Sequence, residues 1–266
     1  MNEPILRPED HEAWAYWQRV CAVHARSPGF QRRVTQAKRY VLEALELEPQ
    51  ACVMWSGGKD STCLAHLVTH ELGLTHVQLI SQKDDLDYPG EEAYVRELAA
   101  RWGAQLEVLR PEISALDYLR EHMAEIDEDI HSRRAGLSRA VFYDLVDRAN
   151  LRYRCVMMGL RAEESDARMM RLVNAGPVAR LKAGRVHAHP LAWWSGLDVM
   201  TYVATRELPL LPLYRCVGYL HREKPWGIRK SWWVGSSARH RAWLRHYYPS
   251  LHRLWRDFMP IVETMS

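Results

Sequence analysis

The feature that most constrains the fold is the segment Ser-Gly-Gly-Lys-Asp-Ser at residues 56–61, which lies between two apolar stretches. Residues 51–55 predict a buried strand, and residues 62–68 predict a helix. Adjacent glycines allow a sharp turn and a close approach to a ligand, and the backbone N–H groups that open a helix attract anions. The segment therefore predicts a strand, a turn and a helix that bind phosphate. The alternative is an ordinary glycine turn before a helix.

Side chains of this segment add donors to those of the backbone. Lys59 places a positive charge next to the glycines. The next residue is Asp60, so the segment differs from the nucleoside-triphosphatase loop, which has Ser or Thr at that position. The residues predicted to bind the nucleotide here are Ser56, Gly57, Gly58, Ser61 and Thr62.

Length and composition fit one enzyme-sized α/β unit. The chain has 266 residues, of which 47% are hydrophobic, and can bury a substantial core. No apolar run approaches the length that crosses a bilayer, and the first residues lack the pattern of a secretion signal. We therefore expect a cytoplasmic protein without a membrane partner.

The cysteines are scattered, without a Cys-x-x-Cys pair. This spacing supports neither a disulfide framework nor a sulfur-ligated metal cluster. We therefore expect no iron–sulfur cluster and predict that most of these side chains are small buried hydrophobic groups. They are Cys21, Cys52, Cys63, Cys155 and Cys216.

Short apolar runs alternate with helical patterns after residue 50. This alternation is typical of an α/β fold with a parallel sheet of about five strands covered by helices. The predicted strands are 52–55, 76–81, 106–109, 155–159 and 187–191, and the predicted helices are 11–25, 30–48, 61–71, 90–102, 113–130 and 138–150. The predicted regions are a helical N-terminal extension (1–48), a nucleotide-binding α/β domain (49–216) and a basic, Trp-rich helical C-terminal region (217–266).

Ligands of parallel sheets bind beyond the carboxyl ends of the strands. The second predicted strand is followed there by an acidic loop that contains Asp85, Asp87 and Tyr88. These side chains suit a ribose hydroxyl, an adenine or a magnesium ion. The alternative is a solvated acidic turn, because acids also favour helix starts.

A basic segment follows the fourth predicted strand. Arg161 comes shortly after Gly159, where its guanidinium could grip a phosphate, and Glu163 and Glu164 are placed to orient this side chain or to bind a metal. Arg168 and Arg171 lie about one helical turn apart and could face the same substrate anion. The alternative is a surface helix with alternating charges.

The C-terminal region is basic and aromatic. Residues 219–256 contain nine Lys and Arg against one acid, with five tryptophans interleaved, which suits binding of DNA or RNA. The alternative is core packing, because apolar residues within 243–255 recur at helical spacing. Arg229 and Lys230 lie in a glycine-flanked loop, which is either a lid over the substrate or a turn anchored in the core.

Three of these segments resemble one family. Residues 56–61 are similar to the signature of the PP-loop ATP pyrophosphatase superfamily. Gly159-Leu160-Arg161, with Glu164 and Arg168, resembles the second motif of its phosphoadenosine phosphosulfate (PAPS) reductase branch. Residues 190–214 are similar to the segment that reductases and the small subunit of sulfate adenylyltransferase carry after their last strand.

The resemblance implies an adenine nucleotide α-hydrolase-like fold. Members that use ATP cleave it at the α-phosphate, release pyrophosphate and adenylate a substrate oxygen. In this chain the resemblance implies that Lys59 and Arg161 stabilise the leaving charge, and that Asp60 is a magnesium ligand or a loop brace. ATP and Mg²⁺ are the expected cofactors. Sulfur transfer, with a sulfur-donor protein, or nucleic-acid modification is the expected setting.

Two other functions are compatible with the sequence. One is a sulfonucleotide enzyme, either a sulfate adenylyltransferase-like subunit or a reductase with Cys216 as its nucleophile. Reductases of this branch attack with a cysteine near the C-terminus, whereas no cysteine follows Cys216 here. A reductase would need Cys216 to be exposed with a lowered pKa. The other is a regulator that binds nucleotide or nucleic acid without turnover.

Overall fold

The computed structural model describes residues 3–85, 87–122, 144–181, 183–218 and 238–258. Its strands are β1 (Ala51–Met54), β2 (Gln78–Gln82), β3 (Leu106–Leu109), β4 (Cys155–Met158), β5 (Val178–Arg180) and β6 (Val186–Ala188). They form a six-stranded sheet in the order β3-β2-β1-β4-β6-β5. Neighbouring strands are parallel except β5 and β6, which are antiparallel.

The strand order changes direction at β1. The chain moves outward from β1 to β2 and β3, and then returns to place β4 on the other side of β1. The gap beyond the carboxyl ends of β1 and β4 is therefore the switch point, where ligands of open α/β sheets bind.

The predicted α/β fold is confirmed, with one strand more than expected. The first four strands begin and end within two residues of their predicted positions, because each is built around apolar residues. The prediction missed β5, since its three residues are half-buried or exposed at the sheet edge. The predicted fifth strand is β6, which ends at Ala188 rather than at residue 191.

Helices cover both faces of the sheet. They are α1 (Pro8–His24), α2 (Pro28–Leu47), α3 (Lys59–His66), α4 (Glu91–Arg101), α5 (Ala115–His122), α6 (Asp144–Arg152), α7 (Asp166–Ala175), α8 (Gly196–Thr205), α9 (Ala238–Tyr247) and α10 (Pro249–Phe258). A π-helical turn, Leu67–Glu71, continues α3. The predicted helices 113–130 and 138–150 lie partly outside the described residues, and the sequence did not predict α8.

The main core lies between the sheet and the helices that include α2, α3, α4 and α8. Phe30 and Val41 of α2 are fully buried in it. Trp55, directly after β1, stacks on Trp102 with ring centroids 5.5 Å apart. The N-terminal extension therefore shares one core with the sheet.

A buried aspartate joins the N-terminal helices to α8. Asp198 lies 2.8 Å from His24 Nε2 and 2.7 Å from Arg33 Nη2, and its side chain is 0% exposed. It also accepts a hydrogen bond of 2.6 Å from the backbone N–H of Ser195, the N-cap of α8. Burial alone would raise the pKa of Asp198, but these hydrogen bonds hold it below its usual value.

The helices α9 and α10 close a second apolar cluster. Trp243, Tyr247 and Leu251 are buried there, together with Tyr214 and Cys216. The helical spacing of the first three residues therefore reflects core packing.

Much of the basic C-terminal run, including Arg229 and Lys230, lies outside the described residues. Arg239, Arg245 and Arg253 are exposed on α9 and α10. Among the described residues, no helix is both long enough and apolar enough to span a membrane.

Candidate active site

The loop between β1 and α3 turns at two glycines. Gly57 has a φ of +80°, which residues with a β-carbon rarely adopt. A β-carbon at this position would also lie 3.2 Å from Glu91 and 3.3 Å from Val95 of α4. Gly58 is extended and forms the N-cap of α3. The dihedral angle and the packing of α4 therefore both require glycine at position 57.

Two serines hold the loop in shape. Ser61 Oγ donates to the carbonyl oxygen of Gly58 (3.0 Å) and lies 2.9 Å from Ser56 Oγ. The backbone N–H of Gly58 donates to Ser56 Oγ (3.3 Å). Thr62 faces the core, where its hydroxyl accepts a hydrogen bond of 3.0 Å from Trp55 Nε1. The serines thus close the loop, and Thr62 anchors it to the core.

Lys59, Asp60 and Arg161 form a row of alternating charges at the start of α3. One Asp60 oxygen lies 2.7 Å from Lys59 Nζ, and the other lies 2.6 Å from Arg161 Nε. Burial alone would raise the pKa of Asp60, but the charges of Lys59 and Arg161 hold it below its usual value. The carboxylate is therefore ionised and pairs with two cations whose side chains are 6% and 3% exposed.

The segment after β4 holds Arg161 in place. Arg161 Nη1 donates to Glu163 Oε1 (3.2 Å), and the backbone N–H of Arg161 donates to Glu164 Oε2 (2.9 Å). Glu164 also pairs with Arg168. Glu163 accepts a further bond of 3.0 Å from the backbone N–H of Gly196, at the start of α8.

The two segments meet at Gly159 and line one cleft. A β-carbon at Gly159 would lie 3.0 Å from the backbone nitrogen of Ser61 and 3.1 Å from the carbonyl carbon of Asp60. The cleft at the switch point has a volume of about 870 Å³, which is within the range of small-molecule sites. The predicted residues that line it are Ser56, Gly58, Lys59, Asp60, Ser61, Arg161, Glu164 and Arg168.

Asp85, Asp87 and Tyr88 are not among the residues that line the cleft, and Tyr88 is buried in the second apolar cluster instead. Asp85 accepts a hydrogen bond of 3.3 Å from the backbone N–H of Leu116 in α5, and Asp87 accepts one of 3.1 Å from that of Asp84. Acids stabilise helix starts, so this loop braces α5. Arg171 is exposed on α7 and does not line the cleft either.

Sequence reasoning missed a buried ion pair beneath the loop. Lys83, directly after β2, pairs with Glu91 at the start of α4, and their side chains are 2% and 1% exposed. Lys83 Nζ also lies 3.4 Å from the carbonyl oxygen of Ser56. The sequence feature that could have indicated this ion pair is a lysine directly after a strand that neighbours β1.

Sequence reasoning also missed Tyr214, which lies in the short helical turn Pro212–Arg215. Its hydroxyl oxygen accepts a hydrogen bond of 3.0 Å from the backbone N–H of Lys59, 155 positions away in the chain. Lys59 Nζ lies 5.8 Å from the centroid of the ring. Tyr214 lines the cleft, although no local pattern indicates this contact.

Cys216 is fully buried. Burial raises the pKa of its thiol, and its Sγ lies 3.9 Å from the carbonyl oxygen of Pro212. A thiolate nucleophile needs access and a lowered pKa. The environment of Cys216 therefore disfavours the reductase alternative.

A largely parallel sheet with a glycine loop and two paired cations at its switch point is the architecture of the adenine nucleotide α-hydrolase-like fold. The phosphoadenosine phosphosulfate reductase domain matches residues 50–220, and the chain belongs to this family. Comparison with curated protein sequences gives no significant match.

Solved structures of enzymes share the fold. The PAPS reductase from Candida auris, a phosphate complex, is 18% identical, with 67% of this chain and 83% of that chain covered and a TM-score of 0.51. The FMN adenylyltransferase from Candida glabrata in complex with ATP is 13% identical, with 77% and 68% covered and a TM-score of 0.49. Identities at this level show the fold alone.

The expectation that excluded an iron–sulfur cluster was wrong. The U34-tRNA thiolase NcsA from Methanococcus maripaludis, another structural match, carries a [4Fe-4S] cluster. It is 14% identical, with 89% of this chain and 82% of that chain covered and a TM-score of 0.47. The expectation rested on cysteine spacing, which does not determine the thiolates that a fold brings together.

Proposed function

We propose that this protein is an enzyme that binds ATP in the cleft, cleaves it at the α-phosphate and adenylates an oxygen atom of a second substrate. The observation that carries the proposal is the buried pair of cations, Lys59 and Arg161, on either side of Asp60 at the switch point. Membership of the PAPS reductase domain family supports it.

In the proposed reaction, a substrate oxygen attacks the α-phosphorus, and the proton that it carries passes to water. The new bond forms as the bond to the oxygen that bridges the α- and β-phosphates breaks, and its electrons leave with pyrophosphate. Negative charge therefore grows on the leaving group. Preorganised cations and donors that face such charge lower the barrier. Lys59 acts from the loop, and Arg161 acts from the segment after β4.

Asp60 fits the role of a loop brace, because both of its oxygens contact cations. A phosphate oxygen that approaches Lys59 or Arg161 can replace one of these contacts while the other persists. Among the described residues, no group of three or more His, Cys, Asp or Glu side chains is placed to hold a metal ion. Mg²⁺ prefers phosphate oxygens and water with few protein carboxylates. We therefore propose that Mg²⁺ arrives bound to ATP.

The acceptor is proposed to belong to sulfur transfer or to nucleic-acid modification. The exposed Arg239, Arg245 and Arg253 of α9 and α10 support DNA or RNA as a partner. A sulfur-donor protein would act after adenylation, because an adenylated oxygen is a good leaving group for a sulfur nucleophile.

The test is a product analysis with Mg²⁺ and ATP labelled at the α and γ positions. The reaction is run alone and with added sulfate, DNA or tRNA. We expect labelled AMP, free or attached to the acceptor, together with pyrophosphate, and the additive that stimulates release identifies the acceptor class. Release of ADP and phosphate, or intact ATP under every condition, would contradict the proposal.

One arginine variant tests the site in this experiment, and a second arginine variant is its control. Arg161→Ala removes one of the paired cations and should lower pyrophosphate release by about a hundredfold. Arg101 is exposed at the end of α4 and does not line the cleft. Arg101→Ala should therefore retain the wild-type rate.

A further inference from the structure

The hydroxyl of Tyr214 lies at a point where a phosphate oxygen would be expected. It accepts its hydrogen bond from the backbone N–H of Lys59, the first residue of α3. The first N–H groups of a helix have no acceptor within the helix and attract anions. In this protein a side-chain oxygen takes one of these positions.

The same hydroxyl has a hydrogen atom to donate. A phenol can accept one hydrogen bond and donate another at the same time. Among the described residues, the bond from Lys59 is the only hydrogen bond of the Tyr214 hydroxyl, which therefore donates to none of them. Burial raises the pKa of Tyr214 well above its usual value, so the hydroxyl stays protonated at physiological pH.

The ring holds this hydroxyl in a fixed position. Tyr214 is 1% exposed and packs in the same apolar cluster as Trp243 and Tyr247. Its helical turn begins at Pro212, whose ring restricts the backbone. A donor fixed in this way needs little reorganisation when charge develops in the cleft.

We propose that Tyr214 is a catalytic residue whose hydroxyl accepts the Lys59 N–H and donates a hydrogen bond to an oxygen of the leaving pyrophosphate. This inference rests on the proposed function, which defines that leaving group. No proton is transferred, because the hydrogen bond only strengthens as negative charge grows. Tyr214 thus extends the polarity of the α3 N-terminus into the cleft.

Tyr214→Phe tests the inference, because it removes the hydroxyl oxygen and keeps the ring. The matched control is Tyr88→Phe. Tyr88 is 3% exposed in the same cluster and does not line the cleft. Calorimetric titration with inorganic pyrophosphate measures binding, and steady-state kinetics with Mg²⁺ and ATP measure kcat and KM.

We expect Tyr214→Phe to weaken pyrophosphate binding about tenfold, because hydrogen bonds to charged groups are strong. We also expect kcat to fall about tenfold to a hundredfold while KM changes less than about threefold, since the bond strengthens in the transition state. Tyr88→Phe should stay within about twofold of wild type. Equal or tighter pyrophosphate binding by Tyr214→Phe would overturn the inference, because the hydroxyl would then be a competitor of the ligand.

These readouts separate the inference from the proposed function. If the wild type cleaves ATP at the α-phosphate and Tyr214→Phe matches it in both assays, the inference alone fails. If pyrophosphate binds the wild type more tightly than Tyr214→Phe but ATP is never cleaved, the proposed function fails and the hydroxyl remains a pyrophosphate ligand. If the wild type binds neither ligand, both fail.

Discussion

Two aspartates, Asp60 and Asp198, each contact two basic side chains. Burial alone would raise the pKa of both carboxyls, but their partners hold both values below the usual range. Their exposure differs. The Asp60 side chain is 16% exposed and borders the cleft, whereas that of Asp198 is 0% exposed between α1, α2 and α8.

The difference lies in what can replace each carboxylate. In the proposed reaction a polyphosphate in the cleft takes over the partners of Asp60, so those ion pairs would be exchangeable. Asp198 is 0% exposed, and its pairs with His24 and Arg33 fasten the N-terminal helices to α8. Similar ion-pair geometry would thus serve ligand exchange at one position and permanent packing at the other.

The largest expected effect is on the free energy of unfolding, when Asp198 is replaced. Asp198→Ala leaves two basic groups without their shared acceptor and removes a helix cap. We expect the free energy of unfolding to fall by about 3–5 kcal/mol, measured by urea denaturation. Asp60→Ala is the matched variant. The cleft is intact in Asp198→Ala, so pyrophosphate should raise the Tm of both variants by binding to the folded state, but more in Asp60→Ala, where it also pairs with the cations that have lost their carboxylate. An equal rise in both variants, or no rise in Asp60→Ala, would break the comparison.

The next largest effect is expected on catalysis, when Lys59, a partner of Asp60, is replaced. Lys59→Ala removes a charge that faces the leaving group, so α-phosphate cleavage should slow by about a hundredfold or more. Asp60 keeps its contact with Arg161, so the unfolding free energy should change by less than about 1 kcal/mol. The labelled-ATP assay and urea denaturation measure the two quantities. Normal turnover would refute the role of Lys59.

As the pH falls, buried neutral histidines should take up protons and lower the stability before either aspartate does. Burial, with the nearby His70 charge, lowers the pKa of His66 from 6.5 to about 4. A depressed pKa gives stability that is fully present above pH 6.5 and is lost as pH falls through about 4. We expect His66 to account for a loss of about 3 kcal/mol between these values. The pH slope of urea denaturation should be shallower in His66→Gln, and an equal slope would exclude His66 as the cause.

The smallest effect is expected at the buried cysteine near the cleft. Cys216→Ala removes one buried sulfur atom and should cost about 1 kcal/mol of unfolding free energy. The rate of α-phosphate cleavage should stay within about twofold of wild type. Abolished turnover in a stably folded Cys216→Ala protein would instead revive the nucleophile hypothesis.

Much of the fold could be predicted because apolar residues mark its first four strands. The strands β1 and β4 are continuous apolar runs, and β2 and β3 contain apolar residues beside a few polar ones, whereas β5 is too short and too exposed to leave a pattern. Part of the site was also predictable, since Lys59, Asp60 and Arg161 follow two strands that become neighbours. Parallel pairing then brings these residues together.

The rest of the site depends on contacts that no local pattern contains. Tyr214 reaches Lys59 only through the packing of the second apolar cluster, to which α9 and α10 contribute. Asp85 shows the opposite case, because an acid after a strand suits both a ligand and a helix start. The sequence could not decide between them, and the structure directs Asp85 to α5.

Gly159 packs directly against the backbone of Asp60 and Ser61. This close packing, and not charge alone, contributes to the spacing between Lys59 and Arg161. A β-carbon at 159, 3.0 Å from the Ser61 nitrogen, would push the two strand ends apart. The lack of a side chain at 159 therefore keeps the backbones after β1 and β4 in close contact. This part of the spacing between Lys59 and Arg161 does not depend on salt, which screens only their attraction to Asp60.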